Sequence, residues 1–175
     1  MTFGPANSLL AALAAGKAEA YAALYDRMAE RLLRVAMAIL QDRAEAEDAV
    51  QDVFMNLVRH RERFGRVVDL EAYVFAVLRH AAGDRLEKRR VEMGRLRRLP
   101  MAVATADVAT VGMGEAEDLR AALGALPAEQ REIVALKIDA GLTFAQIGEI
   151  VRISPNTAAS RYRYALEKLR SLLER

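Results

Sequence analysis

Apolar residues recur at helical spacing along most of the chain. Between residues 18 and 40, Tyr21, Leu24, Met28, Leu32, Val35 and Ile39 fall three or four apart, which places them on one helix face. Asp42 stands where it can cap a second helix, whose stripe is Val50, Val53, Phe54 and Leu57. Gly65 and a pair of valines then break the period, so residues 63–69 read as a loop. A third helix places Leu70, Tyr73, Val74, Val77 and Leu78 inward and runs on into a basic segment. Three amphipathic helices of this kind can close one core.

The pattern fails from about Val91 to Gly114. Pro100, Gly112 and Gly114, with Ala, Val and Thr between them, predict a linker without a core of its own. Val111-Gly-Met-Gly114 has no third glycine, no Lys-Ser/Thr pair and no preceding strand, so it does not make a phosphate loop. Periodicity resumes near Glu115. Leu119, Leu123 and Leu126 predict a short helix, and Pro127 suits the first turn of the next. That helix carries Ile133, Val134, Leu136 and Ile138 and stops before Gly141. Thr143 and Ser154 can cap two further helices, the second with Pro155 at its first position. The expectation is an all-α chain of two small helical domains, residues 1–92 and 115–175, joined by 93–114.

Composition agrees: Ala, Leu and Val among Glu and Arg, with few glycines and prolines, is helix-forming. The apolar run near the start lacks a basic leading segment and continues into a charged amphipathic helix, so it reads as a first short helix rather than a signal peptide. No stretch reaches the ~20 apolar residues of a membrane span. Cysteine is absent, which excludes disulfides and thiolate metal sites and fits a cytoplasmic location. The net charge of +2 matters less than its placement. Seven basic residues lie between Arg85 and Arg98 against Glu87 and Glu92, whereas residues 42–52 hold five acids against Arg43. One surface would face phosphates and another a basic partner.

The stretch LTFAQIGEIVRISPNTAASRYRYALEKLR, residues 142–170, stops one amphipathic helix at Arg152–Ser154 and starts a longer, more basic one. Gly148 allows a close crossing, and Ile147, Val151 and Ile153 can lock the pair, as a helix-turn-helix requires. Ala158, Tyr162, Ala165, Leu166 and Leu169 would face inward, with Asn156, Ala159, Ser160 and Arg163 outward and Thr157 and Arg161 flanking. Base edges and phosphates are the matching partners. On this stretch alone an ordinary helical hairpin with solvated arginines also fits. Arg152 sits at a turn position that favours glycine, and Ala159 offers no hydrogen bond.

The C-terminal sixty residues resemble region 4 of the sigma-70 family, through Leu-Pro-Ala-Glu-Gln-Arg-Glu at 126–132, Gly-Leu-Thr at 141–143 and the capped helix at 154–170. DRAEAEDAVQDVFMNLVRHRERF, residues 42–64, resembles region 2.2, and DLEAYVFAVLRHAAGDRLEKRR, residues 69–90, resembles regions 2.3 and 2.4. Two such domains with a short linker are the layout of the extracytoplasmic-function (ECF) group. The resemblance implies a sigma factor that binds core RNA polymerase, at its clamp helices and flap, and promoter DNA. Asp48, Gln51, Asp52 and Asn56 would dock on polymerase. Arg63, Phe64, Arg66, Tyr73, Phe75, Arg79 and His80 would meet the −10 element; Phe75, Arg79 and His80 lie off the predicted core stripe, whereas Tyr73 lies on it. Arg152, Asn156, Thr157, Ser160, Arg161 and Arg163 would meet the −35 element. The family commonly pairs with an anti-sigma protein. No catalytic residue, metal or cofactor is implied.

Two other readings of the residues stand beside this one. A DNA-binding regulator with a dimerising or ligand-sensing first domain would bind an operator without polymerase. A nucleic-acid-modifying enzyme would use Asp48 and Asp52 with a metal, though no His or Cys lies near them.

Overall fold

A computed structural model describes residues 6–96 and 114–174. The chain forms α1 (Ala6–Ala14), α2 (Ala18–Leu40), α3 (Arg43–Arg59), a 3-10 helix (Arg61–Arg66) and α4 (Leu70–Leu96). After residues 97–113 come α5 (Glu115–Gly124), α6 (Ala128–Ile138), α7 (Phe144–Val151) and α8 (Pro155–Leu173). Among the described residues there is no strand.

The helix boundaries follow from local chemistry. Asp42 accepts from the Glu45 N–H at 3.0 Å and starts α3. Asp69 accepts from the Ala72 N–H at 3.0 Å at the head of α4. Thr143 and Gln146 form a reciprocal capping box at α7, and Ser154 caps α8 with Pro155 at its first position. At the other ends, Gln41 (φ 54°) and Arg152 (φ 61°) take the left-handed conformation after α2 and α7, and Gly141 takes it (φ 68°) three residues past α6.

Helices α2, α3 and α4 close the N-terminal core. Leu24, Met28, Leu32 and Val35 pack in one apolar cluster with Ala46, Ala49, Val53, Leu57, Val74 and Leu78. That cluster does not stop at the end of the N-terminal half. It continues through Ile133, Ala135, Leu136, Ala140, Leu142 and Ile147 into the C-terminal half. A separate small cluster of Ala122, Leu126, Val134, Ala165 and Leu169 lies between α5, α6 and α8. Helix α6 therefore buries four consecutive apolar residues, Ile133 to Leu136, against two different surfaces.

Arginines finish this junction. The buried Arg131 donates through Nε to the Ala38 carbonyl at 2.5 Å and through Nη1 to the Leu126 carbonyl at 2.8 Å. Arg89 reaches the Leu40 carbonyl at 3.2 Å. These two cations serve the carbonyl end of α2, whose own last turn has no basic residue. In the same way Arg31 of α2 donates to the Asp139 and Ala140 carbonyls beyond α6, at 3.2 and 2.5 Å. Exposed ion pairs are worth at most ~1 kcal/mol each, so apolar burial holds the halves together and the arginines set their register.

Several expectations change. Residues 61–66 form a 3-10 helix that runs into the expected loop of 63–69, and α4 runs to Leu96, past the expected boundary at residue 92. The rest of the expected linker, residues 97–113, lies outside the described residues. Phe75, read as outward, is fully buried, with the Arg31 guanidinium 5.6 Å from its ring centre. Leu166, read as inward, is exposed, and so are Leu119 and Ile138. Pro127 occupies the N-cap position rather than the first helical one.

Two substitutions test the helix crossing. A Cβ at Gly148 would stand 2.7 Å from the Ile153 carbonyl oxygen, a backbone atom that cannot swing aside. Gly148→Ala is expected to lower unfolding free energy by about 1–3 kcal/mol. Arg152→Gly relieves a left-handed strain of about 1–2 kcal/mol against roughly 0.5–1 kcal/mol of added unfolded-state entropy. A net rise of roughly 0.5–1 kcal/mol is expected by the difference of those terms; urea midpoints check both variants.

Candidate functional site

The acids of α3 form a stripe. Glu45, Asp48 and Asp52 are three and four residues apart, and their side chains stay 42, 61 and 59% exposed. Arg85 of α4 reaches across to all three, with Nη1 at 2.8 Å from Glu45 and 3.6 Å from Asp48, and Nη2 at 2.6 Å from Asp52. The bonds to Asp52 and Glu45 hold the Arg85 guanidinium more firmly charged than usual. The stripe is thus partly neutralised and fixed in place, with carboxylate oxygens still open to solvent. Gln51 is exposed beside it and Asn56 half-buried. Residue types alone did not single out Arg85. Its signal was the spacing of Arg85, Lys88 and Arg89, which puts three cations on one face of α4 opposite the acids.

Between α3 and α4 runs an open groove of about 920 Å³. Its walls include Asp52, Asn56, Arg63 and His80, which the sequence divides between two roles, together with Arg59 and Lys88. The structure brings these four residues together. Among the described residues no group of three His, Cys, Asp or Glu side chains could hold a metal ion.

The remaining −10 candidates part company. Arg63 and Arg66 are exposed on the 3-10 helix. Phe64 is only 2% exposed, edge-on to Tyr21 at 6.3 Å and to Tyr73 at 6.0 Å. Tyr21 in turn donates its hydroxyl to the Leu13 carbonyl at 3.1 Å, and burial raises its pKa. This aromatic chain anchors the 3-10 helix against α1 and the head of α4. It leaves Val68, just past the 3-10 helix, 99% exposed. Phe64 and Phe75 serve packing here, and Tyr73 is half-buried. His80 is exposed, 3.6 Å from Asp84. Arg79 is engaged by Glu132 of α6 at 2.9 Å. Burial raises the Glu132 carboxyl, and Arg79 offsets that in part.

On α8, Asn156 and Arg163 are exposed, with the Arg163 guanidinium 5.5 Å from the Tyr164 ring centre. The Thr157 hydroxyl lies 2.7 Å from the Ser154 hydroxyl and belongs to the cap. Ser160 is half-buried, and Arg161 bonds Glu129 at 2.8 Å. Arg152 projects from the turn and is exposed. A helix start with free polar side chains, flanked by cations, suits groove edges and phosphates.

Two family models match the chain: sigma-70 region 2 over residues 24–92 and sigma-70 region 4 over residues 116–169. The chain is 26% identical over 175 residues to the ECF RNA polymerase sigma factor SigK of Mycobacterium tuberculosis (strain H37Rv), covering 96% of this chain and 93% of that one. It is 28% identical over 166 residues to the RNA polymerase sigma factor CarQ of Myxococcus xanthus, covering 90% and 91%. Among solved structures it resembles the sigma factor RpoE in complex with the anti-sigma factor NepR from Bartonella quintana. There the TM-score is 0.69 and the identity 26%, over 86% of this chain and 96% of that chain. CnrH in complex with the cytosolic domain of CnrY shares the fold, with a TM-score of 0.67 at 22% identity over 95% of each chain. With region 2 and region 4 both matched in this order, the chain belongs to the sigma-70 family of RNA polymerase sigma factors, in its ECF group.

Proposed function

We propose a division of labour within the sigma-factor activity, which is to bind core RNA polymerase and direct initiation at promoters. The α3 stripe of Asp48, Gln51, Asp52 and Asn56 docks on a basic surface of core polymerase. The groove beside it, with Arg63 and His80 on its wall, and the neighbouring Arg66, receive the −10 strand. The exposed face of α8, through Asn156 and Arg163 with Arg152 at its edge, meets the −35 element. The first role belongs to residues up to 92, the last to residues 115–175.

The observation that carries this reading is that Asp52 and Asn56 share one groove with Arg63 and His80. A protein held to polymerase through α3 presents that groove to DNA at the same moment. Tethering then makes the second, α8 contact intramolecular, so individually weak contacts add. The role needs no catalytic group, and its place is the cytoplasm, where the polymerase works. An anti-sigma protein is the expected regulator, as in the NepR complex of the Bartonella sigma factor. Among the described residues no helix is long and apolar enough to cross a membrane.

Two measurements separate the roles. Asp52→Lys is expected to weaken binding to core polymerase at least tenfold, about 1.4 kcal/mol, while duplex binding by the helix-turn-helix is unchanged; undiminished polymerase binding in an anisotropy titration would count against α3 as the dock. Arg163→Ala is expected to cost about 1–3 kcal/mol of promoter affinity in the reconstituted holoenzyme. That loss should vanish on a template whose −35 sequence is scrambled.

A further inference from the structure

The 3-10 helix that carries Arg63 and Arg66 rests on α1 as well as on the core of α2, α3 and α4. The residue that joins these parts is Tyr21 of α2. Its hydroxyl lies 3.1 Å from the Leu13 carbonyl and 3.3 Å from the Leu57 carbonyl, and its one proton serves both. Leu13 belongs to the last turn of α1 and Leu57 to the last turn of α3, where carbonyls lack partners within their own helix. One side chain of α2 thus ties together the ends of two other helices.

The same tyrosine seats the 3-10 helix. Six residues of this helix type do not hold an orientation by their own hydrogen bonds. Phe64 is the one apolar side chain in Arg61–Arg66 and is 2% exposed. It stands edge-on to the Tyr21 ring at 6.3 Å and to the Tyr73 ring at 6.0 Å. Arg61 crosses the turn between α1 and α2, where a Cβ at Gly16 would lie 3.4 Å from its Cδ and Nη1. At the far end of the segment the Asp69 carboxylate caps α4. Held from the inside in this way, the segment turns Arg63, Arg66 and Val68 outward.

We propose that Tyr21 is a positioning residue for −10 recognition: by joining the ends of α1 and α3 and seating Phe64, it fixes the angle at which Arg63, Arg66 and Val68 are presented to the strand. This rests on the reading that gives Arg63 and Arg66 to the −10 element. The hydroxyl itself is turned to two carbonyls and does not touch DNA. Attraction between arginine and phosphate survives a small shift of the segment, because it is long-ranged and blind to sequence. The directional contacts that tell one base from another do not survive it. Loss of the bridge therefore costs discrimination before it costs affinity.

Tyr21→Phe keeps the ring against Phe64 and removes only the bridge. The holoenzyme reconstituted with core polymerase is titrated with labelled single-stranded −10 oligonucleotides. These come from a promoter on which the parent chain is active, with each base replaced in turn. The variant is expected to bind core polymerase and a −35 duplex as the parent does. Its ratio of best to replaced-base affinity should fall about three- to tenfold. Phe64→Leu, still apolar but with no ring edge, should flatten the same profile. The double variant should flatten it by less than the product of the two single effects, because both act through one seat. A parental profile in the folded Tyr21→Phe holoenzyme overturns the proposal, as does an equal loss of polymerase affinity, which would make Tyr21 merely structural. Should Tyr21→Phe not fold, the profile of Phe64→Leu decides by the same criterion. If Arg63→Ala and Arg66→Ala both leave affinity for the strand unchanged, it is the assignment of this segment to the −10 element that fails, and the proposal falls with it.

Discussion

Burial of α6 on two sides is the constraint from which the rest of the arrangement follows. Ile133, Val134, Ala135 and Leu136 are all buried, whereas Ile138 at the end of the helix is exposed. Once they are placed between α2 and α8, the position of every C-terminal element relative to the N-terminal half is set. Arg131 makes the placement specific. Its buried guanidinium is desolvated, which lowers its pKa, and it compensates by donating to the carbonyl ends of two helices, α2 and α5. A buried cation without such acceptors would be costly; with them it selects one register among the many that apolar surfaces alone would tolerate.

The polar surface follows from that packing. Arginines join the halves at separate points, Arg31 and Arg34 to the end of α6 and Arg79 to the largely buried Glu132 on its flank. Asp69 both caps α4 and accepts from Gln146 at 2.5 Å, which ties the start of α4 to the capping box of α7. Glu71 is held below the usual carboxylate range: burial alone would raise it, but Arg31 and Arg27 outweigh burial. Away from this junction, Arg85 lines up the acids of α3 while leaving them open to a partner. The junction arginines thus bond both backbone carbonyls and carboxylates, whereas Arg85 bonds carboxylates that stay open to solvent. A carboxylate can be exchanged for a phosphate or a partner's charge, whereas a buried carbonyl cannot leave its helix.

Much of the candidate surface was visible in the residues because it depends on near neighbours. Glu45, Asp48 and Asp52 share a face by spacing, and Asn156 and Arg163 project because Ser154 and Pro155 fix where α8 begins. Phe75 shows the limit. Within its helix it lies off the stripe of Val74 and Leu78, yet it is buried in the shared apolar cluster with Arg31 over its ring. Phe64 is similar: its neighbours in sequence are arginines and glycine, and its burial comes from Tyr21 and Tyr73.

The sequence by itself determined the helices, their caps, the left-handed turn at Arg152 and the family, since each rests on chemistry within a few residues or on motifs read in order. The tertiary structure alone decided that Glu132 holds Arg79, that Arg85 gathers three acids and that two halves share one core. Those outcomes join residues 33 to 100 or more positions apart. Periodicity names which side of a helix seeks cover, but which surface provides the cover is a property of the whole packed chain.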